Sequence, residues 1–192
     1  MLLSLIKHFN WVDCFIIILV IRICYVSLKR GFIVEAFKLL GTILAIYLSL
    51  HYYSFLADYL NDRFSITVIP LEFLDFLCFA LLAIVGYSVF IIFREGITRL
   101  IKSEAAPQLN KWGGLVIGGM RAFLLASLLV YMLLISTLTY LNTSVHRAYF
   151  GTSIFRIAPG VYSNLWNTLM SKFMVKEKFN NSVTQTEGSF QA

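Results

Sequence analysis

The sequence predicts an all-α membrane protein: four transmembrane helices followed by a C-terminal amphipathic helix at the membrane interface. Three observations predict it. The 192 residues are 59% hydrophobic and only 14% charged, with a mean hydropathy of +0.78, far from the half-apolar, quarter-charged balance of soluble domains. Apolar runs of the length that crosses a bilayer recur along the chain, about 18 residues or more each. Between 161 and 174 the pattern changes. There Tyr162, Leu165, Trp166, Leu169 and Phe173 recur at helical spacing against Ser163, Asn164, Asn167, Ser171 and Lys172, a helix too polar on one side to span. The expected organisation is a four-helix membrane domain over 1–140, with helices at about 11–28, 31–53, 73–93 and 112–138. An amphipathic interfacial segment over 141–175 and a disordered tail over 176–192 complete it.

The formal charge of +6 does not point to nucleic acid, because the basic residues flank apolar runs as they do at the ends of cytoplasmic loops. The bilayer is the expected partner. Cys14, Cys24 and Cys78 fall inside apolar runs without the spacing of a metal site or disulfide framework, so neither metal nor cofactor is expected.

Residues 1–9 form an amphiphilic lead-in. Trp11 and Asp13 then suit the start of helix one, the indole at the interface and the carboxylate against the positive end of the helix dipole. Helix one carries Arg22 inside its apolar run, which costs about 2.5 to 3.5 kcal/mol at mid-helix unless the side chain snorkels or pairs.

A very short connection, Ser27 to Arg30, leads into helix two, so the two are expected to form an antiparallel hairpin. Helix two carries a stripe at Gly31, Glu35, Lys38, Thr42, Ala45 and Ser49, whose steps of four and three keep polar and small groups on one face. Such a stripe must look at protein or water, since hydrocarbon offers charged groups no partner. Arg22 and Glu35 lie at similar depth, roughly 8 Å inside the same membrane face, and an ion pair between them is expected, with Lys38 one turn deeper.

After Tyr52 the chain reads as a polar loop to Pro70. Helix three is aromatic and carries a weak small-residue face at Ala80, Ala83 and Gly86. Arg94, Arg99, Lys102 and Lys111 mark the next connection, read as a basic amphipathic segment ended by Pro107. Helix four opens with Gly113, Gly114, Gly118, Gly119 and Arg121. Gly114, Gly118, Ala122 and Ala126 are four apart, a small-residue ridge on which another helix packs closely, and Arg121 beside it is expected to reach Glu35 or carbonyls of helix two. Counting basic residues near the membrane puts connections one and three inside the cell and both termini outside.

Taken together, Asn10-Trp11-Val12-Asp13, Lys29-Arg30-Gly31-Phe32 with Glu35, and Leu109-Asn110-Lys111-Trp112-Gly113-Gly114 through Gly118 and Arg121 resemble the colicin V production family in order and spacing from Trp11 to Pro159. Trp112 departs from the family, which commonly has an aliphatic residue there. The resemblance implies a bacterial inner-membrane protein needed for production or export of the toxin and linked to envelope maintenance. It implies no enzyme, and the chain has no G-x-S-x-G, H-E-x-x-H or Walker motif. The expected function is an accessory or assembly factor that associates with itself or with envelope and secretion proteins. The alternative is a channel or transporter subunit with a polar path lined by Glu35, Lys38 and Arg121. The expected polar cluster is Arg22, Arg30, Gly31, Glu35, Lys38 and Arg121.

Overall fold

The computed structural model describes residues 10–64, 70–100, 107–136, 138–174 and 177–191. Helices α1 (Trp11–Arg30), α2 (Phe32–Phe64), α3 (Leu71–Leu100) and α4 (Pro107–Leu134) are each long and apolar enough to cross a membrane. A cap of short helices follows: α5 (Thr139–Arg147), α6 (Gly151–Phe155), α7 (Ile157–Leu165), a π-helical turn (Trp166–Met170), α8 (Ser171–Phe173) and α9 (Asn181–Gln191). No strand occurs among the described residues. The lead-in over 1–9 lies outside them.

Asn10 caps α1 in a capping box with Asp13, which satisfies backbone donors the first turn cannot use. Asp13 does more than cap. It is fully buried, and its carboxylate accepts the N–H groups of Tyr149 (3.0 Å) and Phe150 (2.9 Å), fastening the start of α1 to the cap.

The hairpin expected of α1 and α2 is not a packed pair. Gly31 turns the chain with φ +84°, and α1 packs chiefly on α4, while α2 packs on α3 and α4. Loop length fixes which helices are joined, not which faces meet; the glycine ridge of α4 reaches closer to α1 than α2 can. On the other side, α2 and α3 cross where Gly86 lies over Ala45, so close that a Cβ on Gly86 would stand 2.9 Å from the Ala45 Cα.

Three boundaries also differ from expectation. Helix α2 continues through Asp58, Asn61, Asp62 and Arg63 to Phe64 instead of ending near Tyr52. Its 33 residues span about 50 Å, well beyond a hydrocarbon core of about 30 Å. The extension holds because Ala57 stays buried against Leu74 and Cys78 of α3, leaving the acidic residues outside. Helix α3 likewise runs on to Leu100, into the segment expected to lie separately on the membrane, and Pro107 is the first residue of α4, where a missing N–H costs nothing. Lys102 falls outside the described residues.

The cap sits against the middle of α2 and the last turns of α4. Ser127 of α4 donates to the Phe155 carbonyl (3.1 Å) and accepts the Ala158 N–H (2.7 Å), fixing the corner between α6 and α7. Tyr131 stacks on Phe155, which meets Phe190 of α9. The tail expected to be disordered is thus a docked helix: Val183 is fully buried and Phe190 nearly so. They are seven apart, on one helical face, a pattern too sparse to stand out from its polar surroundings.

Candidate functional site

Glu35 is the centre of the buried charge. Its side chain is 0% exposed, with Lys38 Nζ 2.6 Å from Oε1 and Arg121 Nη2 2.9 Å from Oε2. Lys38, one turn on, and Arg121, from α4, are each only 5% exposed. Arg121 Nη1 also donates to the hydroxyl of Tyr87 on α3 at 3.2 Å. One carboxylate therefore connects α2 to α4, and Arg121 extends the connection to α3. A buried carboxylate needs such partners: removing one member of a buried ion pair costs about 3–5 kcal/mol because it strands the other.

The rest of the stripe is closed inward. Thr42 and Ser49 donate to the Lys38 and Ala45 carbonyls of their own helix (2.9 and 2.7 Å), so their hydroxyls are already satisfied.

The expected Arg22–Glu35 pair does not form. Glu35 is held by Lys38 at Oε1 and faces Arg121 at ion-pair distance from Oε2, and Arg22 is exposed on α1. Similar depth along two helices does not by itself bring two side chains together. Five residues from Ser27, the α1 position that faces α4, place Arg22 about 140° around the helix from that contact. Arg30 is exposed as well, and both arginines line a cavity of about 250 Å³ shared with Lys38, Tyr87 and Arg121.

Gly31 belongs to a joint rather than to the charge cluster. Its φ of +84° excludes most side chains, and a Cβ there would stand 2.5 Å from Asn110 Oδ1. That oxygen accepts the Phe32 N–H at 2.6 Å. Around the same joint Gly113 lies against Phe32, and a Cβ on Gly114 would meet the Ser27 carbonyl at 2.9 Å. One on Gly118 would overlap the Ser27 hydroxyl and stand 3.7 Å from Glu35 Oε2. Ala122 and Ala126 continue the ridge and are buried. The glycines are what let α4 come near enough for Arg121 to reach Glu35.

Sequence reasoning missed Tyr87, Ser27 and the clamp role of Asn110. A tyrosine among many aromatics gives no local signal, and Ser27 resembles any hydroxyl near a helix end. It also missed a second polar constellation farther along α2, near its middle. His51 Nδ1 lies 2.8 Å from the Tyr162 hydroxyl and Nε2 lies 2.9 Å from Glu177 Oε2, while Tyr52 donates to the same carboxylate at 3.0 Å. Burial pushes Tyr162 up to about 12, so it stays a neutral phenol whose O–H can donate a hydrogen bond to Nδ1. His51 then presents its Nε2–H to Glu177. This chain latches the segment before α9 onto the membrane domain, reinforced by Asn180 Nδ2 donating to the Leu50 carbonyl at 2.8 Å.

The family described as Colicin V production protein matches this chain over residues 12–159, more than half its length. No curated protein and no solved structure matches.

Proposed function

Because the chain belongs to the colicin V production protein family, we propose that it is a multi-pass protein of the bacterial inner membrane that serves toxin production or export as an accessory or assembly factor, without enzymatic chemistry. One observation carries this reading. The charged residues of the stripe are tied to one another within the bundle, Glu35 holding Lys38 and Arg121 with its carboxylate sealed from solvent, and an internal tie of this kind favours a rigid scaffold over a conducting path. The surfaces left for partners are the lipid-facing sides of the spans and the cap. Homo-oligomers or envelope and secretion proteins are the partners such a scaffold would bind.

The test combines two measurements on the full-length protein. Crosslinking and gentle solubilisation should capture a distinct membrane partner, and liposomes containing the purified protein should pass no ions or small solutes. A conductance that Glu35→Gln abolishes while assembly stays intact would replace this reading with the transport one.

A further inference from the structure

Beside the Glu35 tie lies the cavity of about 250 Å³ walled by cations from three helices: Arg22 and Arg30 of α1, Lys38 of α2 and Arg121 of α4. The one carboxylate at this place, Glu35, is already committed to Lys38 and Arg121. Arg22 and Arg30 pair with no acidic side chain among the described residues. Two buried polar atoms at this place have no hydrogen-bond partner, Arg121 Nε and Glu35 Oε2; the oxygen still has Arg121 Nη2 at ion-pair distance, whereas the Nε donor is left unused. An excess of guanidinium groups converging on a pocket at membrane depth is costly unless an anion joins them.

The chemistry of the wall selects the anion. Guanidinium forks match phosphate oxygens with paired hydrogen bonds, and a lysine adds a point charge. The surroundings select the access route. Leu19, Ile23 and Val26 supply the apolar part of the wall, and Ile18, Ile21 and Tyr25 next to Arg22 are exposed on the side of α1 that faces lipid. Basic pockets between membrane helices are where phosphate-bearing headgroups bind.

The geometry points to a membrane-embedded binding site for a phosphate group, with Arg22 and Arg30 as its outer contacts and Lys38 and Arg121 as its inner wall. The site rests on the Glu35 tie invoked for the assembly role, but its outer contacts lie beyond that tie and can be removed without breaking it.

The experiment uses the full-length protein in detergent, as wild type, Arg22→Gln, Arg30→Gln, the double variant, the charge-keeping Arg22→Lys, and Arg63→Gln at the far end of α2 as a control. Native mass spectrometry counts retained phosphatidylglycerol against phosphatidylcholine, and calorimetry follows titration with inorganic phosphate. Each Gln substitution should weaken binding about fivefold, as expected for one basic group at a membrane phosphate. Arg22→Lys, which keeps the charge but not the fork, should fall between the wild type and Arg22→Gln; Arg63→Gln should bind as the wild type does, and melting temperatures should stay put. Selective retention of phosphatidylglycerol identifies a lipid headgroup as the source; binding of inorganic phosphate without lipid preference identifies a soluble anion, and either supports the site. Neither ligand binding, or the double variant binding as the wild type does, overturns it. Failure of the assembly reading alone would look different, with no partner captured while phosphate binding persists.

Discussion

The side chain of Asn110 accepts the backbone N–H of Phe32 at 2.6 Å, in the space that a Cβ on Gly31 would enter. The start of α4 is thereby clamped to the turn between α1 and α2, and two stretches far apart in sequence become one joint.

Replacing either residue of this joint should loosen the bundle. Gly31→Ala places a side chain at φ +84° and ψ 167° and drives it into Asn110. Strain of about 1–3 kcal/mol is expected from the backbone alone. Asn110→Ala removes one hydrogen bond and should cost about 1 kcal/mol. Thermal unfolding in detergent should rank Gly31→Ala below Asn110→Ala, and the reverse order would show that the clamp matters more than the turn.

Glu35→Ala strands two buried cations and should destabilise by about 3–5 kcal/mol. Arg121→Ala should lose a comparable amount, and the double variant much less than the sum, because the second change removes a charge the first left unpaired. Arg22→Ala should leave stability nearly unchanged, since Arg22 does not touch Glu35. A double-mutant cycle on Glu35 and Arg121 read by unfolding checks this, and a coupling near zero would mean the ion pair contributes nothing.

These contrasts mark what the sequence could and could not disclose. The spans were readable because a run of apolar residues has one solvent in which it is stable, and the polar stripe was readable because Glu35 and Lys38 cannot face that solvent. The glycine ridge at Gly114 and Gly118 was visible for the same kind of reason: small residues at steps of four suit close helix contact. Which helix fills the ridge was not readable, since it depends on the rotation of α1 about its axis and on the turn at Gly31. The connection length suggested α1 beside α2, whereas Ser27 meets α4. Sparse contacts were missed for another reason. Val183 and Phe190 become a buried face only when the cap exists to receive them, and Asp58 to Arg63 read as a loop until Ala57 is seen to pack on α3.

The ridge itself can be tested by size. Gly118→Ala pushes a methyl group into the Ser27 side chain, and overpacking of this kind costs about 1–3 kcal/mol. Ser27→Gly in the same chain should return much of that loss, because it empties the space the methyl group needs. If Ser27→Gly deepens the loss, the contact between the two helices is not the source of the strain.

The cap makes the last prediction. His51 holds Glu177 with one ring nitrogen and Tyr162 with the other, so His51→Ala breaks both contacts and leaves the Tyr162 hydroxyl with only the Asn180 N–H at 3.1 Å. Loss of a partly buried hydrogen-bonded partner costs about 1–3 kcal/mol, which at about 1.4 kcal/mol per tenfold multiplies the open population of the segment by roughly five or more. Lys178 is exposed beside this latch, so tryptic cleavage there should quicken by that factor in His51→Ala. Glu177→Gln keeps a hydrogen-bond acceptor and should show a smaller rise, while the melting of α1 to α4 should hardly move. Cleavage at Lys178 unchanged by His51→Ala would mean that Phe179 and Val183, by packing, hold the tail without the latch.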